Sequence, residues 1–164
     1  MSDVTIFHLE MTHASQINAK SDAKGLIVTK AKLPQFEFNR FLYQFVGEAW
    51  EWTDKLGWSE QQWKSYSEDP HLHLYVAYFE GSPAGYFELQ QQTNGQVEIM
   101  YFGLGVRFIG KGMGGYLLSE AIKQAWALPN TKRVWVHTCS LDHPSALKNY
   151  QARGFSLFKT ETEQ

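Results

Sequence analysis

The sequence predicts an α/β fold: a central mixed, twisted sheet with helices on both faces. Three observations predict it. Residues 72–104 fall into three strand-like runs, the first alternating with a period of two and the last two joined through Asn94-Gly95, which marks an antiparallel meander. Beyond a cluster of glycines ending at Gly115 the apolar period becomes helical, and strand, helix and strand patterns follow. The third meander run, residues 96–104, is apolar on both faces, as a strand covered from both sides should be. A meander continued by helix, strand, helix and strand is most simply satisfied by one mixed sheet.

Taken in order, residues 4–9 read as a first strand, and residues 10–24 are polar and weakly patterned, a loop or a short helix. Residues 25–31 read as a short strand, broken before Pro34. Phe38, Phe41, Leu42, Phe45 and Val46 have helical spacing within residues 36–50. Ser59 and Gln62 have capping-box spacing at the start of a second helix that ends before Pro70. The meander strands are residues 72–79, 84–90 and 96–104. After the glycines, Leu117, Leu118, Ala121, Ile122, Ala125 and Trp126 share one helix face. A strand over residues 132–139 and a short helix over residues 144–151 follow, with Asp142 as the expected cap and Gly154 as the expected left-handed stop. Residues 155–160 make a last strand, and residues 161–164 are expected to fray. No repeat or linker interrupts the chain, so residues 1–164 are expected to form one domain.

Composition excludes several functions. With 43% hydrophobic and 20% charged residues, the chain can bury a core and is not of the disordered type. A formal net charge of −2 disfavours general nucleic-acid binding. The single Cys139 allows neither an internal disulfide nor a cysteine-rich zinc site, and a small buried residue is the expectation there. His71 and His73 lack a third clustered ligand, so no metal is expected. No run approaches about 18 apolar residues, and Met1-Ser2-Asp3 begins nothing like a signal peptide. No membrane association and a cytoplasmic location are therefore expected.

The chemistry centres on residues 102–116, FGLGVRFIGKGMGGY. A strand leads in, a helix leads out, and Gly110, Gly112, Gly114 and Gly115 lie between. Such a junction presents unpaired backbone N–H groups around a concavity at the positive end of a helix, an anion site suited to a cofactor's pyrophosphate. Lys111 and Arg107 flank it. Gly110, Gly112 and Gly115 also spell the dinucleotide fingerprint G-x-G-x-x-G. That reading fails because a meander precedes the motif and no acidic residue ends the next strand, where Val134, Trp135, Val136 and His137 stand. No Lys-Ser/Thr pair follows, so it is not a P-loop either.

The stretch resembles the acyl-CoA-binding signature of the GCN5-related N-acetyltransferase (GNAT) superfamily, Gln/Arg-x-x-Gly-x-Gly/Ala. The matching positions here are Ile109, Gly110, Lys111, Gly112, Met113 and Gly114, with Ile109 in place of the usual Gln or Arg. A second family marker, Asn-x-x-Ala-x-x-x-Tyr followed by Gly-Phe, matches His143, Ala146, Tyr150, Gly154 and Phe155, with His143 replacing Asn. The resemblance covers most of residues 72–155. It implies a GNAT-like fold, acetyl-CoA as cofactor, and direct transfer of acetyl to a primary amine of a small molecule or peptide. It also implies that pantetheine pairs with backbone groups at Leu104 and Val106 where the strand splays after a bulge. Gly103 and Gly105 are expected to accommodate that bulge. Dimers are common in the family, so a homodimer is an expectation of the resemblance alone.

Tyr150 is the candidate acid for the leaving thiolate. Glu98, a carboxylate in an apolar strand, is the candidate base, with Glu88 second. Trp50, Trp52, Trp58 and Trp63, interleaved with Glu48, Glu51 and Asp54, either wall an amine pocket or pack as core. The competing function is a non-catalytic acyl-CoA-binding regulatory module, which the replacements at positions 109 and 143 keep open.

Overall fold

The structure is a computed structural model that describes residues 3–163; Met1, Ser2 and Gln164 lie outside the described residues. Strand β1 is Val4–Met11 and β2 is Leu26–Ala31. Helices α1 (Phe36–Gly47) and α2 (Glu60–Ser67) precede the meander β3 (Leu72–Phe79), β4 (Ser82–Gln91) and β5 (Gln96–Leu104). Helix α3 (Gly114–Ala127), β6 (Arg133–Cys139), α4 (Ala146–Ala152) and β7 (Ser156–Glu163) complete the order.

Local chemistry explains the punctuation. The Ser59 hydroxyl accepts from the Gln62 N–H at 3.2 Å, and the Gln62 side chain accepts from the Ser59 N–H at 2.8 Å, so the expected capping box starts α2. Asn94 and Gly95 both have positive φ, 61° and 72°, the geometry of a tight hairpin turn. Gly154 has φ +115°, and a Cβ there would strike the Gln16 carbonyl oxygen, so only glycine closes α4.

The seven strands lie in the order β2-β3-β4-β5-β6-β1-β7. Helix α1 lays Leu42 and Val46 on Leu74, Val76 and Tyr86 on one face. On the other face α3 buries Leu117, Leu118, Ala121, Ile122 and Ala125 against Phe87, Leu89, Val97, Ile99, Val134 and Val136. Each fully buried leucine contributes on the order of 2 kcal/mol. The expected mixed sheet with helices on both faces is the observed architecture.

Strand β1 lies between β6 and β7 and pairs antiparallel with both. Three expectations are corrected. The chain end does not fray at residues 161–163, because Glu161, Thr162 and Glu163 pair with Ile6, Thr5 and Val4. Asp142 does not cap α4. Its carboxylate instead accepts from the Thr138 hydroxyl, the Cys139 N–H and the Trp52 indole N–H, tying the end of β6 to the segment after α1. The bulge lies at Met100 rather than at Gly103 or Gly105, since Leu89 faces Ile99 while Glu88 faces Tyr101. Glycine was not needed there because a bulged residue of the ordinary kind keeps negative φ.

The bulge positions the site. The parallel pairing of β5 with β6 runs only from Gln96↔Arg133 to Ile99↔Val136. The extra residue adds twist at the point where this ladder stops, and the two strands part.

Candidate active site

The gap between β5 and β6 opens into a cleft of about 510 Å³. Its walls are β5, the glycine loop, the start of α3 and the α4 region, and Leu104, Ile109, Gly110, Gly112, Gly114, Gly115, His143 and Tyr150 all line it. The Gly105 N–H donates to the Ala84 carbonyl at 2.8 Å on the β4 side. Strand alternation therefore turns the main-chain groups of Phe102 and Leu104 into the gap.

The glycine loop is a donor surface. Among the described residues, no amide from residue 110 to residue 116 has an acceptor, and the Leu117 N–H, donating to Met113 at 3.0 Å, is the first to be used. Gly110 and Gly112 have φ +83° and +79°, a left-handed geometry that turns successive N–H groups to one side. Ile109 differs from its motif position. Its N–H donates to the Val106 carbonyl at 3.2 Å, and only its side chain faces the cleft. Met113 is buried in the core. Val106 is exposed and opens a short 3-10 turn, and Lys111 and Arg107 are exposed outside the cleft lining.

Two cations that the motifs do not mark stand at this loop. An atom added at Cα of Gly115 would lie 2.6 Å from Arg153 Nη1 and 2.8 Å from Lys20 Cδ. Arg153 is buried, and its Nε is buried without a partner among the described residues. A buried guanidinium with a free donor, beside a row of free amides at a helix start, fits a polyanion. The chemistry of these donors fits the phosphates of a pyrophosphate-bearing cofactor. Lys20 arrives on the segment after β1, whose Asn18 donates to the carbonyls of Arg153 and Ala152. Nothing in the local sequence pairs positions 20 and 153.

The second motif converges on the same cleft. Tyr150 is buried, with its ring edge-on to Phe155 at 5.8 Å and tilted to Phe102 at 6.0 Å. Its hydroxyl has no hydrogen-bond partner among the described residues, and burial, aided by the Asp142 charge, pushes its pKa far above the ordinary value. It therefore stays protonated at neutral pH and can donate. His143 accepts from the Ser145 N–H at Nδ1 (3.0 Å), which leaves Nε2 as the donor, and its ring meets Trp50 edge-on at 5.3 Å.

Glu98 does not line this cleft. It is buried on the α1/α2 side of the sheet, accepts from Gln92 at 2.9 Å, and lies 3.4 Å from His137 Nδ1. The Glu98 hydrogen bond raises the pKa of the half-exposed His137, against the effect of burial. Glu98→Gln is expected to lower the His137 pKa to the ordinary histidine value or below it, read by NMR titration of the ring. The sign follows from linkage. The wild-type ion pair stabilises the fold below His137's ordinary value and is lost as pH rises through the raised one; the variant lacks this acid-side gain.

The tryptophans divide. Trp50 and Trp52 line the cleft, Trp63 is core, and Trp58 meets Trp63 and Tyr66 edge-on. Glu88 accepts from Tyr66 and Asn39 in the interior, away from the cleft. Cys139 is partly exposed, contrary to expectation, and burial raises its thiol pKa, so it is not an activated nucleophile. Among the described residues no group of three His, Cys, Asp or Glu is placed to hold a metal ion, and no helix is long and apolar enough to cross a membrane.

A sheet that splays beside a row of main-chain donors at a helix start defines the site of this α/β protein. Residues 36–155 match the model of the Acetyltransferase (GNAT) family. The chain belongs to that family. Solved structures agree on the fold. The chain is similar to a GCN5-related N-acetyltransferase from Sphaerobacter thermophilus, with a TM-score of 0.71 at 19% identity over 99% of this chain and 51% of that one. An IAA acetyltransferase from Bacillus cereus has a TM-score of 0.59 at 25% identity, covering 82% and 79%. An aminoglycoside acetyltransferase from an uncultured soil metagenomic sample has a TM-score of 0.62 at 15% identity, covering 79% and 87%. The chain spans 51% of the Sphaerobacter protein and 60% and 56% of two other matching structures. No protein of curated function matches the sequence.

Proposed function

We propose that residues 1–164 act as one domain that transfers an acetyl group from acetyl-CoA to a primary amine of a small molecule or peptide, by direct attack in a ternary complex. The observation that carries this reading is the row of free amides at residues 110–116 with the unpartnered Arg153 guanidinium beside it. Acetyl-CoA would supply a thioester carbonyl. The amides, Arg153 and Lys20 hold its phosphates, and Leu104 and Phe102 offer main-chain partners to its amide-bearing arm. The acceptor nitrogen forms the new C–N bond as the C–S bond breaks. Tyr150 supplies a proton to the departing sulfur. Glu98, outside the cleft lining, takes the amine's proton through water and releases it to solvent beside half-exposed His137.

The readings of enzyme and silent module separate by experiment. Acetyl-CoA at about a hundredfold excess over Kd should raise the melting temperature by about 5 °C or more, through linkage. Arg153→Gln should weaken that binding about tenfold or more, by the worth of a charge-assisted hydrogen bond. An unchanged affinity would remove Arg153 from the cofactor site, and no thermal shift in wild type would remove acetyl-CoA. Thiol release over a panel of polyamines, aminoglycosides, amino acids and peptides then tells an enzyme from a module that only binds.

A further inference from the structure

Behind the Trp52–Tyr101 contact, on the α1/α2 face, the chain holds one of its own ammonium groups inside an aromatic enclosure. Lys55 is 8% exposed. Its Nζ sits 4.2 Å from the Trp58 ring centroid, 4.9 Å from Tyr66 and 5.0 Å from Tyr101. Among the described residues no carboxylate lies within ion-pair distance of it. The charges balancing it are set back from it: Glu88, which is buried and accepts from Tyr66 at 2.6 Å and Asn39 at 2.7 Å, acts on it most, followed by Asp54 and Glu98. Nearby the Tyr86 hydroxyl is buried with no partner. Three π faces and a remote carboxylate are the chemistry that recognises an alkylammonium without a direct ion pair.

The segment that brings Lys55 is lightly held. Residues 53–58 form successive turns, Leu56 is 59% exposed, and nothing approaches Gly57. Between Trp52 and Trp58, the backbone bond from this segment to the body is the Lys55 N–H to the Tyr43 hydroxyl at 3.2 Å. The enclosure also adjoins the cleft. Tyr101, one of its walls, is two residues from Gly103, which lines the cleft, and it touches Trp52, which lines it too.

We propose that the enclosure of Trp58, Tyr66 and Tyr101 is a binding site for the alkylammonium group of the acceptor, and that Lys55 is a tethered internal competitor that must swing out for the acceptor to enter. The substrate class is thereby a cationic alkylamine rather than a neutral or anionic one. This deepens the amine-acetylation reading and rests on it for the meaning of the ligand, but binding is measured without acetyl-CoA.

The probe is n-butylammonium, with n-butanol as the uncharged control. In Lys55→Ala, tryptophan fluorescence should report n-butylammonium binding at least tenfold tighter than in wild type, and adding Trp58→Leu should abolish the gain. In wild type, saturating n-butylammonium should accelerate hydrogen exchange at the Lys55 amide as the segment leaves, which needs no variant to fold. Equal affinity in folded Lys55→Ala and wild type, a gain matched by n-butanol, or an unmoved Lys55 amide would overturn the assignment. Binding as described without thiol release on acetyl-CoA addition would leave this site standing and remove the transferase reading. Turnover of alkylamines with affinity indifferent to Lys55 and Trp58 would do the reverse.

Discussion

Tyr150→Phe should lower turnover about a hundredfold or more while leaving acetyl-CoA affinity nearly unchanged. General acids of this kind contribute about 10² to 10⁴ in rate. The ring's packing on Phe155 and Phe102 does not involve the hydroxyl, so the variant keeps its shape. No described group bonds to the hydroxyl, so its loss leaves no buried partner stranded. What disappears is one proton donor whose high pKa keeps it protonated throughout the neutral range. Steady-state kinetics should show the loss in kcat with the KM for acetyl-CoA within about threefold. An unchanged kcat, with melting temperature preserved, would reduce Tyr150 to a packing residue.

Glu88→Ala should be the most damaging substitution for stability, at about 3–5 kcal/mol, the cost of breaking a buried charge network from one side. Glu88 is 2% exposed. Its loss strands the Asn39 amide, the Tyr66 hydroxyl and the interior ammonium of Lys55 together. Burial raises the Glu88 pKa, while Tyr66, Asn39 and Lys55 hold it down, which shows how the four groups depend on one another. Urea denaturation measures the effect. Combining Glu88→Ala with Lys55→Ala should cost less than the sum of the two, because the second change removes the orphaned charge. Strict additivity would mean the two residues do not interact.

How far such a site can be read from sequence depends on the range of the contacts. The glycine loop and α3 are local: the φ-permissive residues and the apolar stripe are both written within residues 110–126, and they appear as expected. The strand–helix–strand pattern with Tyr150, Gly154 and Phe155 was equally visible. The bulge at Met100 was not, because an ordinary bulge asks nothing special of its residue type. Asp142 read as a cap because Asp before a short helix usually is one. Its actual partner Trp52 is 90 positions away and leaves no mark in the pattern. Lys20 and Arg153 stand beside Gly115, and only the folded chain brings them there. Lys55 looked like any surface lysine until three rings from separate segments closed around it.

The place of β1 between β6 and β7 has a bearing on how the molecule comes into being. Once made, β1 cannot find either neighbour until more than a hundred further residues have followed, since Leu9 meets Val136 and Leu157. The meander can zip up early from adjacent segments, but the far half of the sheet closes only when β6 and β7 reach β1. Such distant pairing is slow to form. Until then Ile6 and Leu9 travel exposed, and the cleft, whose Lys20 follows β1, is completed only after that pairing.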